Sequence, residues 1–200
     1  LIQLSDGTLV HLNVSSRLCF PACFNAGQRV VELTGEAYFE VTQYEQQLFV
    51  VRTKGLEVKF LGKLNISNYP DSKKAEVSVL KGRILFCIKN EESSMQGGQA
   101  LIVDLENGKA NIGALDKRTI EWRNGTYFFN DEALSTICTN AYRLYGVHII
   151  IEGPLANRHF TGSINRKQPL EDLLDYLRDT GNVAYYKDAE GQIHLRCPNN

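Results

Sequence analysis

Two hundred residues, 43% of them hydrophobic and 22% charged, describe an ordinary globular chain. That is enough apolar matter for one large β domain or two small ones, and it excludes a disordered protein. A formal net charge of −1, with no basic run anywhere, excludes the electrostatic footprint of a nucleic-acid binder.

The chain opens on Leu1-Ile2-Gln3-Leu4, which already reads as a strand. The expectation is a fragment of a longer protein whose targeting or membrane segment lies outside it. No apolar run here approaches the roughly 20 residues needed to cross a bilayer. Thr8–Asn13 follows the Asp6-Gly7 turn, and Gln28–Leu33 follows Ala26-Gly27. Between Val31 and Val41 two strand-like runs meet at Gly35. Val31, Leu33, Ala37, Phe39 and Val41 fall on one face, with Glu32, Glu36, Tyr38 and Glu40 on the other. That alternation predicts a half-buried antiparallel strand, not a catalytic loop.

Leu48–Thr53, Leu56–Leu61 and Leu64–Tyr69 come next, with breaks expected at Gly55 and Gly62. Pro70-Asp71 turns the chain into Glu76–Leu80, and Gly82 divides that run from Arg83–Ile88. Gly97-Gly98 precedes Ala100–Leu105, and Asn107-Gly108 precedes a last short run. Asp-Gly and Asn-Gly between alternating segments are strong hairpin signals. With no amphipathic helix up to about Gly113, residues 1–115 read as an all-β domain: a sandwich, a jelly roll or a β-helical stack.

Residues 116–124 read as a linker, and 125–200 as a small α+β domain. Tyr127-Phe128-Phe129 is a strand, with Asn130 or Asp131 expected to cap the helix that follows. Leu134, Ile137, Cys138, Ala141 and Tyr145 recur at helical spacing, and Gly146 ends that helix. Val147–Glu152 and His159–Ile164 are strands. Pro169 opens a second helix with the stripe Leu170, Leu173, Leu174 and Leu177, ending at Gly181. Val183–Tyr186 and Gln192–Arg196 form a hairpin around Asp188–Gly191. The expected order is β-α-β-β-α-β-β, with two helices packed on one small sheet.

The residues that could carry chemistry form no catalytic pattern. His11, His148, His159 and His194 are far apart, none in a helical i, i+4 pair. No Gly-x-Ser-x-Gly elbow and no phosphate loop occur, so the chain is read as not an enzyme, with no cofactor and no metal. Cys19-x3-Cys23 is the only close cysteine pair; it lacks the second pair a structural zinc needs, while a disulfide between the two stays open. The triplets at Asn13, Asn65 and Asn124 fit the glycan-acceptor pattern, read as chance outside a eukaryotic secreted protein. Trp122, Tyr127, Phe128 and Phe129 make either a sugar-stacking platform or the seam between two domains. A small sheet leaves edge strands that accept a partner strand. The hairpin from Val183 to Arg196 is the candidate edge, with Val183, Tyr185 and Tyr186 as the partner-binding residues.

L-S-D-G-T-L-V-H-L-N-V-S-S-R-L from Leu4, R-V-V-E-L-T-G-E-A-Y-F-E-V from Arg29, V-K-F-L-G from Val58, N-I-S-N-Y from Asn65 and V-S-V-L-K-G-R-I from Val77 run in order along the first part. That succession resembles the FecR-type anti-sigma regulator domain, in the version common among Bacteroidetes. W-R-N-G-T-Y-F-F-N-D-E-A-L from Trp122, F-T-G-S-I from Phe160 and P-L-E-D-L-L from Pro169 are similar to the small C-terminal domain that follows it. The family usually reads L-G-T before a Phe-Asn pair, where this chain has Leu61-Gly62-Lys63-Leu64-Asn65.

The resemblance implies the periplasmic part of a single-span inner-membrane regulator. Its cytoplasmic segment would bind an extracytoplasmic-function sigma factor. Its periplasmic part would receive a signal from the N-terminal signalling domain of a TonB-dependent outer-membrane transporter. The competing reading is a periplasmic carbohydrate- or ligand-binding module.

Overall fold

A computed structural model describes residues 1–24, 27–42 and 47–198; Ala26 of the expected Ala26-Gly27 turn lies outside the described residues. The chain forms two compact units, Leu1–Ile120 and Glu121–Asn200, and the division falls within a 3-10 helix over Lys117–Asn124. Among the described residues no helix is long and apolar enough to cross a membrane.

The first unit is built on strands β1 (Ile2–Gln3), β2 (Leu9–Leu12), β3 (Arg17–Cys19), β4 (Arg29–Glu40) and β5 (Phe49–Thr53). It continues with β6 (Leu56–Asn68), β7 (Lys74–Ile88), β8 (Glu91–Gln96), β9 (Gln99–Asp104) and β10 (Ala110–Ala114). They join in one sheet of order β1-β2-β4-β5-β6-β7-β9-β10, with β3 on β4 and β8 on β7. Three long strands change partners midway. β4 pairs with β5 in parallel over Arg29–Glu32 and with β6 antiparallel over Gly35–Glu40, while β7 turns from β9 to β8. A sheet whose strands swap partners in this way curves around its own core. Phe39, Phe49 and Phe60 meet at its centre with ring centroids 5.7–6.0 Å apart, spacing suited to tilted and edge-to-face aromatic contact.

The expected breaks at Gly35, Gly62 and Gly82 are bends inside continuous strands. Gly62 and Gly82 face each other across β6 and β7, at φ +133° and +98°. A Cβ on either would collide with the carbonyl of Lys81 or Leu61. Glycine therefore lets the strands cross closely where they bend, and the ladder continues through it. The polar strand β8, read from no pattern in E-E-S-S-M-Q, exists because β7 offers it a ladder from Arg83 to Ile88.

On β4, Val31, Leu33, Ala37 and Phe39 are buried as expected, but so is Tyr38, at 2% exposure. Its strand is central: His11 and Asn65 sit opposite Tyr38 on β2 and β6, and the His11 ring packs edge-on at 5.9 Å. Glu36 is structural too, its carboxylate accepting from the side-chain amides of Asn13 and Asn65 at 2.7 and 2.8 Å.

The second unit runs β11 (Thr126–Ala133), α1 (Leu134–Tyr145), β12 (Ile149–Ile151), β13 (His159–Asn165), α2 (Leu170–Gly181), β14 (Ala184–Lys187) and β15 (Ile193–Arg196). The element order is the expected one, but the strands make two sheets, not one: β11-β13, and β12-β15-β14. Leu134, Ile137, Cys138 and Ala141 of α1 and the four leucines of α2 are buried in a core shared with strand residues Phe129, Phe160 and Leu195. Asn130 and Asp131 do not cap α1. They lie in β11 at a register shift between Phe129 and Glu132, and the position before the helix is Ala133, with no side-chain cap. The two residues form a bulge outside the register with β13, Asp131 left-handed at φ +49° with its N–H donating to Thr161 Oγ1 at 2.8 Å. Gly146 does end α1 in the left-handed conformation, its N–H donating to Tyr142 O at 2.7 Å.

Candidate partner-binding edge

In the three-stranded sheet β15 is central, with β12 parallel on one side and β14 antiparallel on the other. Among the described residues β14 is therefore paired along one side only. Only the first arm of the Val183–Arg196 hairpin is an edge; the second is covered on both sides. Strand alternation sorts the side chains into two rows. Ile151, Leu195 and Tyr185 align across the strands on the core side, and Ile150, His194 and Tyr186 align on the opposite face.

The three residues expected to bind a partner are thereby separated. Val183 is 1% exposed and belongs to the core, where it anchors the start of the strand and offers no contact surface. Tyr185 is half-buried against the core, and its hydroxyl donates to Asp175 Oδ1 on α2 at 2.8 Å. That bond favours the protonated phenol and raises its pKa. Lys187, 3.3 Å from Glu171, ties the end of β14 to the same helix. Tyr186 is 37% exposed and faces outward.

Around Tyr186 lies a cluster that the sequence did not single out. The Tyr186 hydroxyl donates to Glu152 Oε1 at 2.7 Å, and its ring stacks on His194 with centroids 4.8 Å apart and planes 16° from parallel. The Arg196 guanidinium lies 5.1 Å from the same ring centroid, within cation–π range. His194 Nδ1 is 2.8 Å from Glu152 Oε1, and its Nε2 is 3.1 Å from Asp188 Oδ2. Bonding to Asp188 first, then Glu152, raises the His194 pKa. The Glu152 carboxyl is held below its usual range by the Tyr186 hydroxyl and then His194. Alternation along Ile193-His194-Leu195-Arg196 signals that His194 and Arg196 share a face. Glu152 lies just past β12, placed there by a parallel pairing for which the sequence carries no local sign.

This arrangement can recognise: it offers an open strand edge, an outward tyrosine and charged groups of both signs. The other aromatic candidates form no open platform, since Phe129 is buried and Trp122, Tyr127 and Phe128 are half-buried.

Two family models match the chain, one described as FecR protein over residues 1–85 and one as FecR, C-terminal over residues 126–195. Two crystal structures of a candidate anti-sigma factor from Parabacteroides distasonis ATCC 8503 are similar over 99% of this chain. One has 27% identity and a TM-score of 0.91 and is covered over 94% of its length; the other has 28%, 0.90 and 93%. A search of curated proteins finds no match.

Proposed function

The chain belongs to the FecR-type anti-sigma factors, and from that premise we propose that it is the signal-receiving part of a transmembrane regulator, with β14 as its docking edge. In this reading the chain lies in the periplasm. The signalling domain of a TonB-dependent transporter adds to the open side of β14, with Tyr186 as the exposed anchor and Tyr185 bracing the strand from the core side. The effect passes to a sigma-binding segment outside the present chain. No bond is made or broken, so the receiver works through occupancy alone.

The observation that carries the reading is the unpaired side of β14 beside an outward tyrosine. Calorimetric titration with the N-terminal signalling domain of the transporter encoded beside this protein tests it. Saturable one-to-one binding is expected. Tyr186→Ala should weaken it by about tenfold or more, as loss of an aromatic anchor does. Tyr142→Ala, at a tyrosine 42% exposed on α1, should leave it unchanged. Equal affinity for both variants rules out β14 as the site.

A further inference from the structure

We propose that His194 is a proton-operated clasp that fastens the β14 hairpin to the far side of its sheet and so sets the order of the docking edge. The argument begins with donor counting. Both ring nitrogens of His194 face carboxylate oxygens, Glu152 Oε1 at 2.8 Å and Asp188 Oδ2 at 3.1 Å. A neutral imidazole carries one N–H, so one nitrogen would turn its lone pair toward a carboxylate; only the imidazolium satisfies both contacts. The ring is well placed to keep them, since the His194 side chain is only 15% exposed and stacked on Tyr186.

The two carboxylates belong to opposite ends of the sheet. Glu152 follows β12, and its N–H continues the ladder by donating to Leu195 O at 2.8 Å. Asp188 organises the hairpin turn, its Oδ1 accepting from the N–H of Glu190 and of Gln192 at 2.9 and 2.8 Å. His194, on the central strand, therefore links the turn beyond β14 to the strand on the other flank. The charged and titratable groups facing it are Glu152 beyond β12, Tyr186 on β14, Asp188 in the turn and Arg196 on β15. Loss of the imidazolium proton leaves one N–H for two carboxylates, so the link that runs through His194 from the turn to the residue beyond β12 is broken, while the Tyr186–Glu152 hydrogen bond remains.

The direction with pH follows from linkage. A histidine whose folded pKa is raised contributes stability that is fully present below its unfolded value, about 6.5. That contribution is lost as pH rises through the folded value. Glu152 and Asp188, both lowered, contribute above their unfolded values and lose that contribution as pH falls through their folded ones. The clasp is closed between those limits and opens on the alkaline side.

The link to docking rests on the function proposed above, but the clasp is read on the chain alone. NMR titration of the histidine rings in the full chain from pH 5 to 9 is paired with amide exchange of Ala184–Lys187, corrected for intrinsic rates. The His194 ring is expected to titrate above about 6.5, with the Tyr186 and Asp188 signals following the same midpoint. Local opening of β14 should rise about tenfold for each unit by which the pKa is raised. Glu152→Gln and Asp188→Asn should each lower the midpoint, and His194→Gln should hold the edge in its high-pH behaviour throughout. A midpoint at or below 6.5, a midpoint unmoved by both carboxylate variants, or β14 amides that ignore it would each overturn the clasp. A signalling domain that binds at no pH overturns the docking reading only, since the titration has no partner in it.

Discussion

Arg29 is 1% exposed, and its guanidinium is held by Asp6 Oδ2 at 2.7 Å, Thr42 O at 3.0 Å and Gln47 O. Asp6 also receives the N–H and hydroxyl of Thr8, so one buried pair joins the first turn to the start of β4. Removing one partner strands the other charge without water. Arg29→Met is expected to lower the unfolding free energy by about 3–5 kcal/mol in a denaturant titration. Glu76 carries the opposite lesson. Burial pushes its carboxyl up, against a hydrogen bond from Ser78 Oγ at 3.0 Å, and the Asp116 carboxylate adds to the rise. A carboxyl raised in the folded state favours folding at low pH, and that advantage is lost as pH climbs from the unfolded value of 4.5 through the folded one. Glu76→Gln should therefore raise the urea midpoint at pH 7 and give no gain at pH 4. Among the cysteines, burial pushes the Cys138 thiol up to about 12. Cys19 and Cys23 are exposed, so at pH 8 an aromatic disulfide reagent should modify those two rapidly and Cys138 only on unfolding.

At the scale of elements, the strands that swap partners depend on their glycines. Gly62→Ala would force a side chain into φ +133° and against the Lys81 carbonyl. It should cost about 2 kcal/mol or more, measured as a fall in denaturation midpoint. The alternation on β4 and the leucine stripe of α2 were legible because burial repeats with the local period. The cap expected at Asn130 or Asp131 failed because both residues form a bulge within β11, which runs on to Ala133 before the helix begins. β8 went unseen for a related reason: E-E-S-S-M-Q has one apolar residue, and its strand conformation comes from the partner, not from its own propensity.

Over the whole molecule, two cores close separately, one within Leu1–Ile120 and one within Glu121–Asn200. Leu174 is fully buried in the second. Leu174→Ala should remove about 2–5 kcal/mol from that unit. Its amides should lose protection in hydrogen exchange while those around Phe39, Phe49 and Phe60 keep theirs. The proposed docking edge lies in the unit so weakened, so binding of the proposed partner is expected to weaken with it.

The sequence alone determined the succession of elements in the second unit, the faces of the helices and the candidate hairpin, because each depends on spacing between near neighbours. It also carried the ordered strings that both family matches cover. The tertiary structure decided what spacing cannot express. It split the second unit's strands into two sheets, buried Tyr38 between His11 and Asn65, and assigned Val183 to the core. It also brought Glu152, 42 residues away in sequence, to the His194 ring. Pairing between distant strands sets those outcomes, and a ladder of backbone hydrogen bonds is nearly blind to the side chains it aligns.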